Sequence, residues 1–522
     1  MKKPDYFLFI FFFILTIFSC SEDPISPPPN IIYILADDLG YGDLGVYNEE
    51  GKIKTPHLDQ IANEGMVFMD AHTSSSVCTP TRYGILTGRY NWRSPIKKDV
   101  LLGTSRGLIP QKRTTVASFL KSKGYKTAFI GKWHLGWDWA MKDSTFLNIP
   151  INDAEIFDRI DFSKNITNSP NSLGFDYAYG HCGSLDMPPY VYVENEKITS
   201  PVKNITVRKG DYHWWREGPT ADDFDHETVT PHLFDKAEAY IRKMGEKEKP
   251  FFLYLPLPSP HTPILPSDKW RGKSGLNPYA DFVMQIDYRM GRLNRLLHEL
   301  EITKNTMVVF TSDNGCSPAA KFDVLKAKGH NPSAIFRGHK ADIFEGGHRV
   351  PFIIKWPKKI VAGSISYKTI CTTDLLATCA DILGEKLTDQ VGEDSFSILP
   401  AFSQETEYKY QRTFTIHHSI NGSFAIRKGN YKFIFCPDSG GWSFPIPRKK
   451  ERKDLPKFQL YNLKDDPGEV NNLFGQHPKI ESELISLFKE AIQNGRTTPG
   501  ISQKNFNTHF DNKKWDPLAV FN

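Results

Sequence analysis

The sequence is poor in cysteine, and its basic residues are not gathered into one block. Its seven cysteines in 522 residues show no paired spacing, so they do not form the disulfide framework of a small secreted domain. The formal net charge is only +5 and the basic residues are dispersed, so nothing requires a nucleic-acid partner. No internal repeat is present, and the length predicts two domains, one of them large.

Charged residues are also missing from residues 6–18, an apolar run that follows two lysines and precedes Cys20. The run is too short to span a membrane comfortably, which predicts a signal peptide over residues 1–19. Cys20 resembles a bacterial lipoprotein cleavage site and is the predicted lipidation site, with the proline-rich residues 20–29 as an extended tether. We expect an exported cell-envelope lipoprotein, periplasmic or on the outer-membrane surface, that contacts the membrane only through its lipid. The alternatives are simple secretion and an uncleaved anchor.

Two apolar runs are each followed by oxygen-bearing side chains. Residues 30–36 and residues 305–310 are both typical of strands that are covered on both faces in a parallel sheet. The side chains that follow them are Asp37, Asp38, Asp313 and Asn314. Open α/β sheets bind ligands at the carboxyl ends of their strands, and hard oxygen donors suit calcium or magnesium. The two strand ends together predict a divalent-cation site, whereas the aspartate pair alone is more typical of a solvated turn.

Three basic side chains are candidates for one site. Lys132 and His134 are two residues apart in a predicted strand, and residues at that spacing in an extended segment point to the same face. His261 follows Pro260 and precedes Thr262-Pro263, so its backbone is held nearly rigid, as suits a proton donor. Taken alone, each is more typical of a surface charge or a structural histidine.

A polar loop that leads into a helix-like segment carries Cys78. A free cysteine by itself is usually a buried core residue. Its neighbours change that interpretation, because residues 78–82 (CTPTR), followed by residues 86–89 (LTGR), resemble the signature of the formylglycine-dependent sulfatases. In that family a modifying enzyme oxidises the cysteine to the catalytic formylglycine. Residues 124–136 resemble the second signature of the same family. Residues 344–351 form a further segment that resembles the family.

The resemblance spans residues 30 to about 473 and points to the arylsulfatase-like members of the alkaline phosphatase superfamily, including bacterial polysaccharide-active sulfatases. It implies an α/β fold with a large mixed, mostly parallel sheet sandwiched by helices, and a smaller C-terminal subdomain of antiparallel sheet plus helix. Short alternating strand patterns after residue 403 agree with that subdomain. We therefore expect a catalytic domain over residues 30–403 and the subdomain over residues 404–522.

The resemblance also implies a sulfuric ester hydrolase and roles for its residues. Oxidised Cys78 is the implied nucleophile, an aldehyde hydrate of which one hydroxyl attacks sulfur and the other later expels sulfate. The implied ligands of Ca²⁺, in preference to Mg²⁺, are Asp37, Asp38, Asp313, Asn314 and the modified Cys78. Arg82, Lys132 and Lys340 neutralise the sulfate, His261 protonates the leaving oxygen, and His134 assists the second hydroxyl. The implied partner in maturation is the formylglycine-generating enzyme.

The resemblance says least about the rim, residues 142–228. An aromatic content of 13% and the character of this segment favour sulfated polysaccharide or oligosaccharide substrates, algal or host glycans, although a well-packed surface loop fits equally. The weak candidates for substrate contact are His181, Asp186, His213 and Trp214. Two alternatives stay open: a phosphatase or phosphodiesterase of the same superfamily, and a catalytically silent carbohydrate-binding lipoprotein.

Overall fold

The computed structural model describes residues 27–143, 155–247, 249–403, 412–447, 454–510 and 512–521. The predicted signal peptide, Cys20 and most of the predicted tether lie outside these residues. In the described part of the chain, no helix combines the length and the apolar character that a membrane span needs.

The strands are β1 Asn30–Ala36, β2 Met66–Phe68, β3 Ala71–His72, β4 Lys126–Lys132, β5 Tyr177–His181, β6 Val193–Glu194, β7 Lys197–Ile198, β8 Val202–Arg208, β9 Trp215–Ala221, β10 Phe251–Pro256, β11 Thr306–Ser312, β12 Phe352–Lys355, β13 Ser364–Ser366, β14 Ile370–Cys371, β15 Thr415–His418, β16 Phe424–Lys428, β17 Tyr431–Ile434 and β18 Gln459–Asn462. The helices are α1 Pro56–Asn63, α2 Cys78–Thr87, α3 Val116–Ser122, α4 Glu155–Arg159, α5 Val229–Gly245, α6 Pro278–Glu299, α7 Phe322–Ala327, α8 Glu345–His348, α9 Leu375–Ile382 and α10 Pro478–Asn494.

A large sheet carries the order β13-β2-β12-β11-β1-β10-β4-β5-β6-β7. Its central strands, from β11 to β5, run parallel, and β12 and β6 pair antiparallel with both of their neighbours. Strands β1, β10 and β11 are almost entirely buried, as the sequence of apolar runs predicts for parallel strands covered by helices. The mixed, mostly parallel sheet is therefore confirmed.

Two groups of helices cover this sheet. Helices α1 and α5 both pack against α6, helices α2, α3 and α9 pack against one another, and each group contacts the sheet. Helix α6 begins where local chemistry dictates, because the side chain of Asn277 accepts a hydrogen bond from Ala280 N at 3.1 Å and Pro278 occupies the first turn.

The C-terminal subdomain is an antiparallel sheet in the order β15-β16-β17-β18, with α10 packed against β16 and β17. Its core includes Phe424, Phe433, Leu460, Leu484 and Phe488. This confirms the predicted antiparallel sheet and closing helix. The predicted domain boundary at residues 403–404 adjoins the undescribed residues 404–411 and stays a prediction.

Candidate active site

The carboxyl ends of β1 and β11 bring four oxygen-bearing side chains together. Ala36 pairs with Ser312 in the parallel register of these strands, so the residues that follow become neighbours. Asp38 N donates to Asp313 Oδ1 at 3.3 Å, and Asn314 Nδ2 donates to Asp38 Oδ1 at 2.7 Å. All four side chains are buried: Asp37, Asp38, Asp313 and Asn314.

Cys78 is the first residue of α2 and points at this cluster. Its Sγ lies 3.5 Å from Asp37 Oδ1. Arg82 is four residues later, on the same face of the helix. Both Nε and Nη2 of Arg82 donate to Asp313 Oδ2, at 3.0 and 2.7 Å, and Nη1 donates to Lys132 O at 2.9 Å. Helix α2 therefore positions the Cys78 thiol and, through Arg82, holds the carboxylate of Asp313 in place.

Two lysines reach the same cluster from other segments. Lys132, the last residue of β4, places Nζ 2.5 Å from Asp37 Oδ2. Lys340 Nζ lies 2.7 Å from Asp38 Oδ1. The loop of Lys340 is tied to the loop before α2, because Ala341 N donates to Ser76 O at 2.8 Å.

The buried charges of the protein balance within the site: three carboxylates, Asp37, Asp38 and Asp313, face three cations, Arg82, Lys132 and Lys340. Burial would raise the pKa of Asp37, but nearby positive charge, above all that of Lys132, holds this pKa well below its usual value. Burial and the negative charge of Asp37 raise the pKa of Asp313 to about 7. Burial also raises the pKa of the Cys78 thiol far above neutrality.

The residues present fit a hard divalent cation. Asp37, Asp38, Cys78 and His261 place donor atoms within 4.8 Å of one another. Asn314 uses Nδ2 for its hydrogen bonds, and its buried Oδ1 has no hydrogen-bond partner among the described residues. Because the protein charges already cancel, a bound divalent ion would leave a surplus of positive charge for an anionic ester.

Two histidines flank the cluster. His261 Nδ1 lies 2.5 Å from Thr262 O, and Nε2 lies 3.7 Å from Asp38 Oδ2, so Nε2 faces the site. His134 Nε2 lies 2.7 Å from Leu101 O, whereas its buried Nδ1 has no partner among the described residues. Burial and the charge of Lys132 hold the pKa of His134 well below its usual value.

The prediction that Lys132 and His134 lie in one strand and point to the same face is wrong. Strand β4 ends at Lys132, and His134 has a φ of +53°, so the two residues do not share one face of an extended segment. Instead, the chain turns after Lys132, and His134 N donates to Cys182 O at 2.6 Å. A sequence pattern of period two cannot signal a left-handed residue that terminates a strand.

Of the weak candidates, two lie beside His261 and β4. Asp186 Oδ1 is buried, has no hydrogen-bond partner among the described residues and lies 4.0 Å from His261 Nδ1. Its other oxygen forms an ion pair with Arg216. His181 pairs with Lys132 in the register of β4 and β5, and its buried Nε2 also has no partner in the described part of the chain.

The other two weak candidates do not contact the cluster directly. His213 lines a separate cleft, and the Trp214 ring packs against the guanidinium of Arg216 at 5.4 Å. Sequence reasoning missed Arg216, whose only signal was its position next to these aromatic residues.

Sequence reasoning also missed how the C-terminal subdomain anchors the loop before Cys78. Ser76 N donates to His418 O at 3.0 Å, and His417 Nδ1 lies 3.0 Å from Thr73 O. Both histidines are in β15, so the subdomain holds the backbone that delivers the thiol.

A second group of metal-type donors, His72, His348 and His417, is buried behind this loop. His72 contacts Asp70 and His348, and His348 also contacts Lys432. The remaining contacts are of His417 with Thr73 O and Thr415 Oγ1. Every ring nitrogen thus has a hydrogen-bond partner, and Arg427 lies 2.8 Å from His72 Nε2. The arrangement is a polar network between the two parts of the fold and is unsuited to a cation.

Comparison with known proteins gives the family. The sequence profile of the family described as Sulfatase matches residues 29–385, and that described as N-sulphoglucosamine sulphohydrolase, C-terminal, matches residues 339–497. The N-acetylgalactosamine-6-O-sulfatase of Bacteroides thetaiotaomicron is 32% identical over 501 residues, which cover 89% of this chain and 93% of that protein.

The chain belongs to the sulfatase family. It is therefore a sulfuric ester hydrolase rather than the silent binding protein that the sequence left open. Human arylsulfatase A is 30% identical over 476 residues, covering 89% of this chain and 87% of that enzyme.

Solved structures agree with this assignment. A Bacteroides thetaiotaomicron structure from work on the metabolism of multiple glycosaminoglycans superposes with a TM-score of 0.75 at 31% identity, covering 89% of this chain and 99% of that one. The phosphonate monoester hydrolase of Agrobacterium radiobacter, at a TM-score of 0.55 and 18% identity, covers 88% of this chain and 96% of its own and shares the fold alone.

Proposed function

We propose that this sulfatase removes sulfate from sulfated oligosaccharide or polysaccharide fragments, algal or host glycans, through a formylglycine made from Cys78 and with the help of Ca²⁺. The observation that carries the mechanism is the position of Cys78 Sγ, 3.5 Å from Asp37 and enclosed by three carboxylates and three cations. The relative named N-acetylgalactosamine-6-O-sulfatase supports the proposal that the substrate is a carbohydrate.

Cys78 must be modified to act. Burial raises the pKa of its thiol, and the protonated form of a thiol is a poor nucleophile. Formylglycine supplies a hydrated aldehyde, of which one hydroxyl attacks sulfur and the other later expels sulfate. The position at the first turn of α2, fixed by the anchored loop before it, aims this side chain at the charged cluster.

Asp37, Asp38, Asp313 and Asn314 would hold the cation. When bound, Ca²⁺ polarises sulfate oxygens and stabilises the negative charge that develops in the transition state. Arg82 acts on this set rather than on the ester, since its observed hydrogen bonds go to Asp313 and to Lys132 O. It thereby holds one ligand and the backbone of one lysine in place.

Lys132 and Lys340 each bring an ammonium group to the cluster. We assign these two groups to the binding of the sulfate oxygens. Each is paired with an aspartate, Asp37 or Asp38, and these carboxylates would hold the cation. With the carboxylates so engaged, the two ammonium groups would be available to the anionic substrate.

His261 delivers the proton to the leaving oxygen. Its Nδ1 donates to Thr262 O, so the transferred proton is a second one, carried on Nε2 of the imidazolium, the nitrogen that faces the site. His134 presents a buried Nδ1 with no described partner, the geometry of a base that takes the proton of the second hydroxyl.

The substrate class is tested with purified protein that carries formylglycine. We expect sulfate release from sulfated oligosaccharides, beginning with those that contain galactosamine 6-sulfate, and none from their desulfated forms. Release from aryl sulfates but from no sulfated oligosaccharide would contradict the proposal.

Maturation and export remain proposals from the sequence. We expect the formylglycine-generating enzyme to modify Cys78 and a lipid to be attached at Cys20, which holds the enzyme in the cell envelope. Metabolic labelling with a fatty acid tests the second point: label should enter the wild type and be lost in Cys20→Ala, and an unlabelled wild type would contradict it.

A further inference from the structure

A second cleft lies beyond the catalytic cluster, with a volume of about 530 Å³. We call it the distal cleft. Its main lining side chains are Arg208, His213, Ile264, Leu265, Arg271 and Leu276. The volume is in the range of small-molecule sites, which combine an apolar surface with a few placed polar groups.

The floor of the distal cleft continues directly from His261. Leu265 is only four residues further along the chain, so the two Cα atoms are separated by at most roughly 14 Å even in a fully extended segment. Ile264 N donates to Tyr212 O at 2.8 Å, which ties this floor to the turn between β8 and β9. The floor of the cleft and the proton donor are therefore carried by one short segment, residues 261–265.

One wall also runs from the cleft to the catalytic cluster. His213 lines the cleft, and Arg216, three residues later, forms the ion pair with Asp186. Asp186 in turn lies 4.0 Å from His261 Nδ1. A ligand that reaches from the cluster into the cleft would follow this hairpin.

The polar groups of the cleft include two neighbouring arginines. Arg208, from β8, and Arg271, from the loop before α6, share the carboxylate of Glu227 at 3.3 and 2.7 Å. Each guanidinium has five N–H donors. Arg271 also pairs with Asp268 through Nη1 at 2.6 Å and donates to Pro266 O from Nε at 3.3 Å, which leaves one N–H on each of its two terminal nitrogens for a ligand. Burial and the charges of these arginines lower the pKa of His213, so its neutral ring both donates and accepts at neutral pH.

Apolar side chains supply the complementary surface. Ile264 and Leu265 are 2% and 4% exposed, so their packing is fixed by the core beneath and the cleft keeps its shape without a ligand. A pyranose ring has C–H groups on its faces and hydroxyls at its edge. The half-buried side chain of Leu276 offers apolar surface for the first, and the arginine and histidine donors of the cleft match the second.

We propose that the distal cleft binds a second sugar ring of the glycan chain whose sulfate ester is held at Cys78, so that the enzyme prefers an oligosaccharide to the sulfated monosaccharide. This inference rests on the proposed function. The ring held in the cleft is a sugar near the sulfated residue, since the extended span from His261 is no more than roughly 14 Å.

The test compares two substrates that share the same sulfated sugar, one a monosaccharide and one an oligosaccharide. Loss of a hydrogen bond to a charged donor costs about 1.5–3 kcal/mol, so Arg271→Ala should lower kcat/KM for the oligosaccharide by about tenfold or more. For the monosaccharide we expect a change below about twofold. Arg208→Ala, which removes the neighbouring guanidinium, should give the same pattern if Arg271→Ala does not fold.

The matched control is Arg242→Ala, an arginine in an exposed ion pair with Glu299 at 3.2 Å on α5, outside the cleft. It should leave both substrates unaffected. Equal losses on the two substrates in Arg271→Ala and Arg208→Ala, or no loss on either, would overturn the inference.

Binding without turnover separates this inference from the proposed function. With Cys78→Ala, calorimetry should show oligosaccharide affinity that falls when Arg271→Ala is added. If the unmutated enzyme releases sulfate only from aryl esters, the proposed substrate is wrong. If Cys78→Ala binds the oligosaccharide equally well with and without Arg271, the distal cleft does not hold the chain.

Discussion

The guanidinium of Arg82 donates two hydrogen bonds to one carboxylate oxygen of Asp313, from Nε at 3.0 Å and from Nη2 at 2.7 Å. Both side chains are completely buried. Removing one partner of a buried ion pair leaves the other without compensation, so we expect Arg82→Ala to lower the free energy of unfolding by about 3–5 kcal/mol. Urea denaturation measures this loss, and a variant as stable as the wild type would show that Arg82 does not brace the site.

The control for Arg82 is again Arg242→Ala. Its ion pair with Glu299 is more than half exposed on both sides, and such pairs contribute below about 1 kcal/mol. A loss of several kcal/mol in this variant would mean that the assay reports charge removal in general rather than burial.

Substitution of Lys340 distinguishes a role in catalysis from a role in cation binding. Its Nζ lies 2.7 Å from Asp38 Oδ1, and loss of such a donor to a transition state typically lowers the rate about a hundredfold or more. We expect Lys340→Ala to lose activity on this scale while Ca²⁺ affinity is kept or increased, because the substitution removes a positive charge that repels the cation and is paired with its ligand Asp38. Calcium titration followed by thermal melting measures the affinity. Asp38→Asn is the matched variant and should lose Ca²⁺ binding; the same loss in Lys340→Ala would contradict the assignment.

His261 should matter most when the leaving group is poor. An alkoxide of a sugar needs a proton in the transition state, whereas nitrophenolate leaves readily without one. We therefore expect His261→Ala to depress sulfate release from a sulfated sugar far more than release from 4-nitrophenyl sulfate. Comparing kcat for both substrates decides the point, and equal losses would assign His261 to binding instead of proton transfer.

Removal of the cation should affect stability and activity together. Asp37, Asp38 and Asp313 are buried close to one another, so a bound Ca²⁺ stabilises the folded state. At a hundredfold excess over the dissociation constant, the gain is about 2.7 kcal/mol. Chelation should therefore lower Tm and abolish activity, and Ca²⁺ should restore both at lower concentrations than Mg²⁺. Full activity in a chelator would exclude a catalytic role for the ion.

The two strands that carry the oxygen-bearing side chains could be predicted, because a strand that is buried on both faces requires a continuous run of apolar residues. Residues 30–36 and 305–310 were assigned on this basis, and the structure places β1 and β11 there, side by side. Their adjacency explains why Asp37 and Asp313 could be linked before any contact was known. Lys340, 302 positions from Asp38, could be assigned only through the family resemblance.

The rim could not be predicted in the same way. The contact of Asp186 with Arg216 and the lining of the distal cleft join segments that have no common periodicity, and loops carry no burial pattern. His134 illustrates the same limit within a signature motif, since its left-handed backbone, at a φ of +53°, ends the strand that the sequence pattern would have continued.

The central claim is that Cys78 becomes the nucleophile after oxidation to formylglycine. Mass spectrometry of the tryptic peptide that contains Cys78, from protein made in a host with the modifying enzyme, tests it most directly. We predict the mass loss that results when the side chain exchanges its sulfur and two hydrogens for one oxygen, together with sulfate release that disappears in Cys78→Ala. An unmodified thiol in active protein from that host would contradict the account.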